Sequence, residues 1–213
     1  MIARRAVRLG CVLAVALATL LATALPANAT ARTPKGTASL AALLAKDGGG
    51  FDKNPYDYDI LDNAVRTVLS AKPDSAVAVL ADGTVPLTAF LPNDRAFKRL
   101  ASDVLGGSYA SESAVFTSLA GALGVATVEN VLLYHVVPGA TITYRQALKA
   151  KGARLTTALE GSTVRVKVRH RVFVELVDAD RNDRNPFVVQ PNLNKGNRQI
   201  AHGIDRVLRP VNL

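Results

Sequence analysis

His135 lies within the apolar run VENVLLYHVVPG, residues 128–139, while His170 sits in RHR and His202 in IAHGIDRVL. An imidazole acts as a general base or metal ligand only where a second group meets it at a suitable spacing. No two of the three histidines stand at a metal-ligand spacing, and HExxH, CxxC and Gly-x-Ser-x-Gly are absent. If residues 128–135 are helical, Val128, Val131, Leu132 and His135 share one stripe at i, i+3, i+4 and i+7. The ring is then buried. An unpaired buried polar group costs about 1–3 kcal/mol, so His135 is expected to make one specific hydrogen bond across the core. His202 alternates with apolar neighbours, as in a strand. The enzymatic alternative is an extracellular hydrolase in which His135 or His202 converges with an aspartate such as Asp205 around an open pocket.

Two charged stretches add further chemistry. DADRND spaces Asp178, Asp180 and Asn182 by two, as a calcium loop begins, but its sixth position is Asp183 rather than Gly and its twelfth is Val189 rather than Glu. A solvated turn is the expectation, with no metal and no cofactor. In TVRVKVRHRVFVE, Arg165, Lys167, Arg169 and Arg171 alternate with Val164, Val166, Val168 and Val172. Period two sends the valines to the core and the cations outward. That face is either the wet side of an antiparallel pair or a patch for an anionic surface polymer.

These residues need elements to hold them. SLAALLAKDGGG predicts a short helix capped by Ser39, and ILDNAVRTVLSAKP predicts one capped by Asp59 and stopped by Pro73. VPLTAFLPNDRAFKRL reads as a buried strand, a turn at Pro92-Asn93 and a helix. SESAVFTSLAGALG predicts a helix ended by Gly124, with Thr127 capping the next one. After Gly139 the period becomes alternating, with one more helix in TYRQALKAKG and strand pairs meeting near His170. Helices first and strands last predict an α+β fold.

The beginning reads as a targeting label. Arg4, Arg5 and Arg8 precede an apolar run, and Ala27-Asn28-Ala29 fits a signal-peptidase site, so residues 1–29 are expected to be a signal peptide. Its removal takes Cys11, leaves no cysteine, and lowers the formal net charge from +9 to +6. Burial alone then holds the fold, without disulfides. Nothing after residue 30 is expected to span a bilayer, and with 5% aromatic residues and no Trp the chain lacks stacking platforms for nucleic acid. Residues 30–54 are expected to be a flexible lead-in with a short helix, and 55–213 the compact domain.

Three of these segments, in this order, resemble the fasciclin domain family. LTAFLPNDRAFKRL resembles its first motif, LLYHVVPG its Tyr-His motif and IAHGIDRVLRP its closing motif, with LTTALEGSTVRVKV similar to the strand pair between the last two. The resemblance implies a small sheet wedge with helices packed at one side, and a secreted, non-enzymatic adhesion or interaction module, here of the bacterial cell-envelope type. It implies core roles for Thr88, His135, His202 and Asp205, with Thr88 as the partner of His135. Tyr134 and His135 occupy the place tied, in animal members, to partner contact. The Asp-Ile pair associated with integrin binding is absent, Asn192-Leu193 lying nearby. The expected partner is an extracellular protein or an anionic surface polymer, with no nucleic acid and no stable membrane insertion after signal cleavage.

Overall fold

A computed structural model describes residues 35–213; the expected signal peptide and its cleavage site lie outside the described residues. Among the described residues, five α-helices run in the order α1 Leu40–Leu44, α2 Asp59–Ala71, α3 Asp94–Leu105, α4 Glu112–Tyr134 and α5 Tyr144–Lys149, with short 3-10 helices at Ala45–Asp47 and Ala76–Ala81. Seven strands are β1 Leu87–Pro92, β2 Val136–Pro138, β3 Arg154–Thr156, β4 Thr163–Arg169, β5 Phe173–Val177, β6 Val188–Leu193 and β7 Gln199–Ile204. The fold is α+β.

Two sheets form. One has the order β2-β1-β7-β6, the other β3-β4-β5. β1 and β7 pair in parallel, Leu87 opposite Gln199 through Pro92 opposite Ile204, and every residue of both strands is buried. Such strands carry no wet face, so their polar side chains, Thr88, Gln199 and His202, are buried and must find partners inside. Alternation along β1 still divides two cores. Leu87, Ala89 and Leu91 pack with the helices, whereas Phe90 joins Val164, Val166, Val174, Leu176 and Leu208 between the two sheets.

The helices follow their expected faces with three corrections. Ile60, Leu61, Ala64, Val65 and Val68 of α2 are buried, but Asp59 is the first helical residue rather than its cap. The capping carboxylate comes from Asp94 of α3, which accepts the backbone N–H groups of Asp59 at 3.2 Å and Ile60 at 2.9 Å. An N-terminal N–H group left without an acceptor would be costly when buried, and the sequence-distant Asp94 supplies one for each of two such groups.

Gly124 breaks α4 as expected: its φ of 72° and ψ of 161° are non-helical, dividing the helix in two. Thr127 lies inside the second half and not ahead of it. By length and composition alone α4 is apolar enough to cross a membrane, contrary to the expectation for residues beyond 30. Val115, Leu119, Val131 and Leu132 nevertheless pack into the helical core.

The segment expected to be a flexible lead-in is docked from Gly36 onward. Gly36 exchanges backbone hydrogen bonds with Gly196 and Arg198, both at 2.9 Å, and the Leu40 N–H donates to Oε1 of Gln199 at 2.7 Å. Leu40 is fully buried. Gly83 makes this possible, because a Cβ there would collide with the Thr37 carbonyl.

Candidate functional site

His135 ends α4 and is buried. Its Nδ1 lies 2.7 Å from the Val131 carbonyl and its Nε2 2.9 Å from the Leu208 backbone nitrogen. A carbonyl only accepts and a backbone N–H only donates, so Nδ1 carries the proton and Nε2 is the acceptor. Burial, opposed by the Val131 bond, lowers the ring's pKa to about 4. The expected pairing with Thr88 is corrected: Thr88 Oγ1 donates to the Ala140 carbonyl at 2.7 Å and accepts from the Ile142 N–H at 2.8 Å. Thr88 closes the loop after β2. His135 instead ties α4 to the chain's closing segment.

Tyr134 is 1% exposed, and its hydroxyl donates to the Thr163 carbonyl at 3.1 Å. Burial pushes that phenol up to about 12. The expectation that His135 touches a partner is corrected, because its ring is sealed inside with both nitrogens bonded to backbone; Tyr134 exposes almost none of its surface, yet it lies against the polar cleft bordered by Arg154 and Arg165. A helix stripe read from sequence identifies an inward face, but the inter-sheet core covers the neighbouring Tyr134 as well.

His202 is also buried. Nε2 donates to the Ile142 carbonyl at 2.8 Å, and Nδ1 accepts from the Asn192 N–H at 3.2 Å. Burial lowers its pKa despite the Ile142 bond. Asp205, expected in the core, is half-buried; its carboxylate accepts from the Phe187 N–H at 2.7 Å and meets Arg99 at 3.5 Å. His170 is exposed in a turn where it and Arg171 hold φ of 48° and 65°, closed by the Val172 N–H on the Arg169 carbonyl at 3.1 Å. Two left-handed residues match the twist of a tight hairpin.

The basic face divides into two unequal parts. Val164 and Val166 are buried, and Arg165, Lys167 and Arg169 emerge opposite them. Glu175, across the ladder on β5, is 5% exposed and forms an ion pair with Arg169 and a second with Lys167 at 3.6 Å. Burial pushes the Glu175 carboxyl up, but Arg169 and Lys167 together hold it below its usual range. Those two cations are thus engaged within the sheet. Arg165 differs: it stands directly opposite Arg154 of β3, both are exposed, and neither forms an ion pair among the described residues.

Arg154 and Arg165 border an open polar cleft of about 740 Å³, with Ser162, Thr163, Asp178 and Arg181 on its walls. The DADRND loop forms its far side, held by arginines of the closing segment. Arg209 Nη1 meets Asp180 at 3.3 Å, Nη2 meets Asp103 at 3.0 Å and Asp183 at 3.1 Å, and Arg206 meets Asp183 at 2.9 Å. The expected solvated turn is corrected in part: Asp180 is buried, and Arg206 and Arg209 pair with the aspartates of the loop. Burial, with Asp180 adding to it against bonds from Arg209, pushes Asp178 up to about 6.

The sequence pattern of the fasciclin domain family matches residues 63–210, more than half of the chain. The chain belongs to the fasciclin domain family. Among solved structures, its fold is similar to a FAS1 domain pair from the insect cell adhesion molecule fasciclin I. The TM-score is 0.53 at 15% identity, over 80% of this chain and 50% of that one. The chain thus spans half the length of that pair. No curated protein matches it. Fasciclin domains occur in extracellular or cell-surface proteins, and the family fits an adhesion or interaction module in general.

Within this fasciclin domain, sequence reasoning missed Arg154, because its pairing with Arg165 depends on β3–β4 register. It also missed Gln199, which is fully buried and bonds Leu40, Val79 and Asp82 backbone groups, knitting the N-terminal segment to β7. The missed signal was a glutamine opening a strand whose only other polar side chain is His202.

Proposed function

We propose that this chain is a secreted, non-catalytic fasciclin module that holds an anionic surface polymer at the cleft bordered by Arg154 and Arg165. The observation that carries the reading is the opposition of two exposed, unpaired arginines across β3 and β4 at the mouth of that cleft. The planar guanidinium fork bonds two oxygens of one anionic group at once, so two such forks bind carboxylate, phosphate or sulfate groups. Attraction to a polyanion is long-ranged and screened by salt.

The state of the histidines supports a non-enzymatic role. Each ring nitrogen of His135 and His202 is committed to a backbone group, and burial lowers both pKa values. A hydrolase built on them would lack an accessible base. Export through the N-terminal segment accounts for a mature chain without cysteine, with processing after Ala29.

Chromatography of the mature protein on immobilised dextran sulfate tests the binding surface. The parent is expected to be retained at low salt and released as salt rises past ~0.15 M. Arg154→Gln with Arg165→Gln is expected to lose retention, while Lys167→Gln with Arg169→Gln keeps most of it. Loss in the second pair with retention by the first would reassign the site to the β4 stripe.

A further inference from the structure

Five carboxylates converge far from the cleft, where the loop before α2 meets α3 and α4. Single oxygens of Asp57, Asp94 and Glu112 lie within 4.8 Å of one another, and so do those of Asp52, Asp57 and Asp59. Asp57 belongs to both groups. Asp94 is buried and has a structural task, capping α2; Glu112 is half-buried and accepts the Asp52 N–H at 2.8 Å.

Asp57 has no such task. Each of its carboxylate oxygens exposes less than 1 Å² to solvent, and no N–H or hydroxyl donor reaches either. The group they meet is the Asp94 carboxyl, which burial first, and then a hydrogen bond to Asp57, push up to about 9. No ion pair reaches Asp57, Asp94 or Glu112 among the described residues, although Lys53, Arg95 and Lys98 line the shallow cleft of about 230 Å³ beside them. Asp57 is half-buried but its oxygens are shielded from water, and a carboxylate so placed against two others is costly when ionised, so it signals a bound ion, a water or a shared proton.

We infer that Asp57, Asp94 and Glu112, with Asp52 at the rim, hold a hard divalent cation of the calcium class. Calcium takes six to eight oxygen ligands at about 2.3–2.6 Å, so ligands on one ion lie within about 5 Å of each other. The observed oxygen separations fall inside that limit. A cage rich in carboxylates on a loop suits calcium better than magnesium, which demands near-octahedral geometry and keeps several waters. The cation would clamp the loop before α2 to the starts of α3 and α4, stabilising the fold with no change in the arginine cleft.

The test uses the purified full chain stripped with EDTA and then titrated with CaCl2, with MgCl2 in parallel. Calcium is expected to raise the melting temperature by roughly 3–5 °C at about tenfold excess over its Kd, and magnesium by much less. Terbium should show luminescence sensitised by the adjacent Tyr56 and Tyr58, displaced by calcium. Asp57→Asn should melt above the parent in EDTA, because like-charge repulsion is relieved, and should lose the calcium response, reversing the order in calcium. Glu112→Gln, at a partly exposed helix start, should weaken calcium binding about tenfold and serves if Asp57→Asn does not fold. A parent whose melting temperature and terbium signal ignore 10 mM CaCl2 would overturn the inference and leave a shared proton or water between Asp57 and Asp94. An Asp57→Asn chain with the parent's calcium response would equally overturn it.

Discussion

The backbone N–H of Leu208 donates to Nε2 of His135 across 2.9 Å, joining residues 73 positions apart in the sequence. That bond fastens the closing segment beneath the end of α4, while the opposite ring nitrogen binds the helix's own Val131 carbonyl. A single imidazole thereby satisfies two backbone groups that would otherwise be buried without partners.

Replacing His135 with Ala strands the Leu208 N–H and leaves a void, so a loss of about 2–4 kcal/mol in chemical denaturation is expected. Thr88→Val removes separate bonds to Ala140 and Ile142 and should cost about 1–2 kcal/mol. The two losses should add to within about 0.5 kcal/mol in a double-mutant cycle. Strong coupling would restore Thr88 as the partner of His135.

The same ring makes stability depend on pH. Its folded value of about 4 lies below the reference 6.5, so the unfolded chain binds more protons between those limits. The His135 contribution is complete above 6.5 and is lost as pH falls toward 4, by about 3 kcal/mol in total. Asp178, raised from 3.8 to about 6, acts in the opposite sense, its contribution falling as pH rises through that window. Urea denaturation of parent and His135→Gln from pH 4 to 7 isolates the histidine: the stability gap between them should widen as pH rises. A constant gap would contradict a buried neutral ring.

The two halves of the basic face should separate in thermal melts. Lys167→Gln with Arg169→Gln leaves the buried Glu175 with only the Asn185 amide at 3.2 Å, and a loss of about 1–2 kcal/mol is expected. Arg154→Gln with Arg165→Gln touches no ion pair and should stay within about 0.5 kcal/mol of the parent. Equal melting temperatures for both pairs would mean that Glu175 does not need its cations.

Arg209 is 6% exposed and gathers Asp103, Asp180 and Asp183. Removing one partner from a buried ionic network leaves the others uncompensated, so Arg209→Met should cost about 3 kcal/mol or more. Arg209→Lys should recover little, since a point charge lacks the fork that reaches three acids. Full rescue by lysine in the same denaturation assay would reduce the network to a simple charge balance.

Much of this protein was legible from local patterning. The α2 and β4 faces follow from the spacing of apolar residues, the break at Gly124 from glycine's tolerance of positive φ, and the strand-turn-helix corner from Pro92-Asn93, whose Asn93 side chain accepts the Ala96 N–H at 3.0 Å. Each depends on residues within a turn or two of one another, where sequence spacing is spatial spacing. The family resemblance added the α+β wedge on the strength of three ordered motifs. That His135 would be a buried, hydrogen-bonded ring also followed from its stripe.

Which group bonds that ring was decided by the tertiary structure, because Leu208 approaches only when the closing segment folds back under α4. The same holds for Glu175 between Lys167 and Arg169, for Arg154 opposite Arg165, for the Asp94 cap of α2, and for Asp57 facing Asp94 and Glu112. An alternating strand shows which side chains face outward but not what the neighbouring strand sets beside them, since register and loop closure arise from the packing of both cores together. Charge compensation falls off within a few ångströms, so a residue's electrostatic role depends on partners that its own stretch of sequence does not contain.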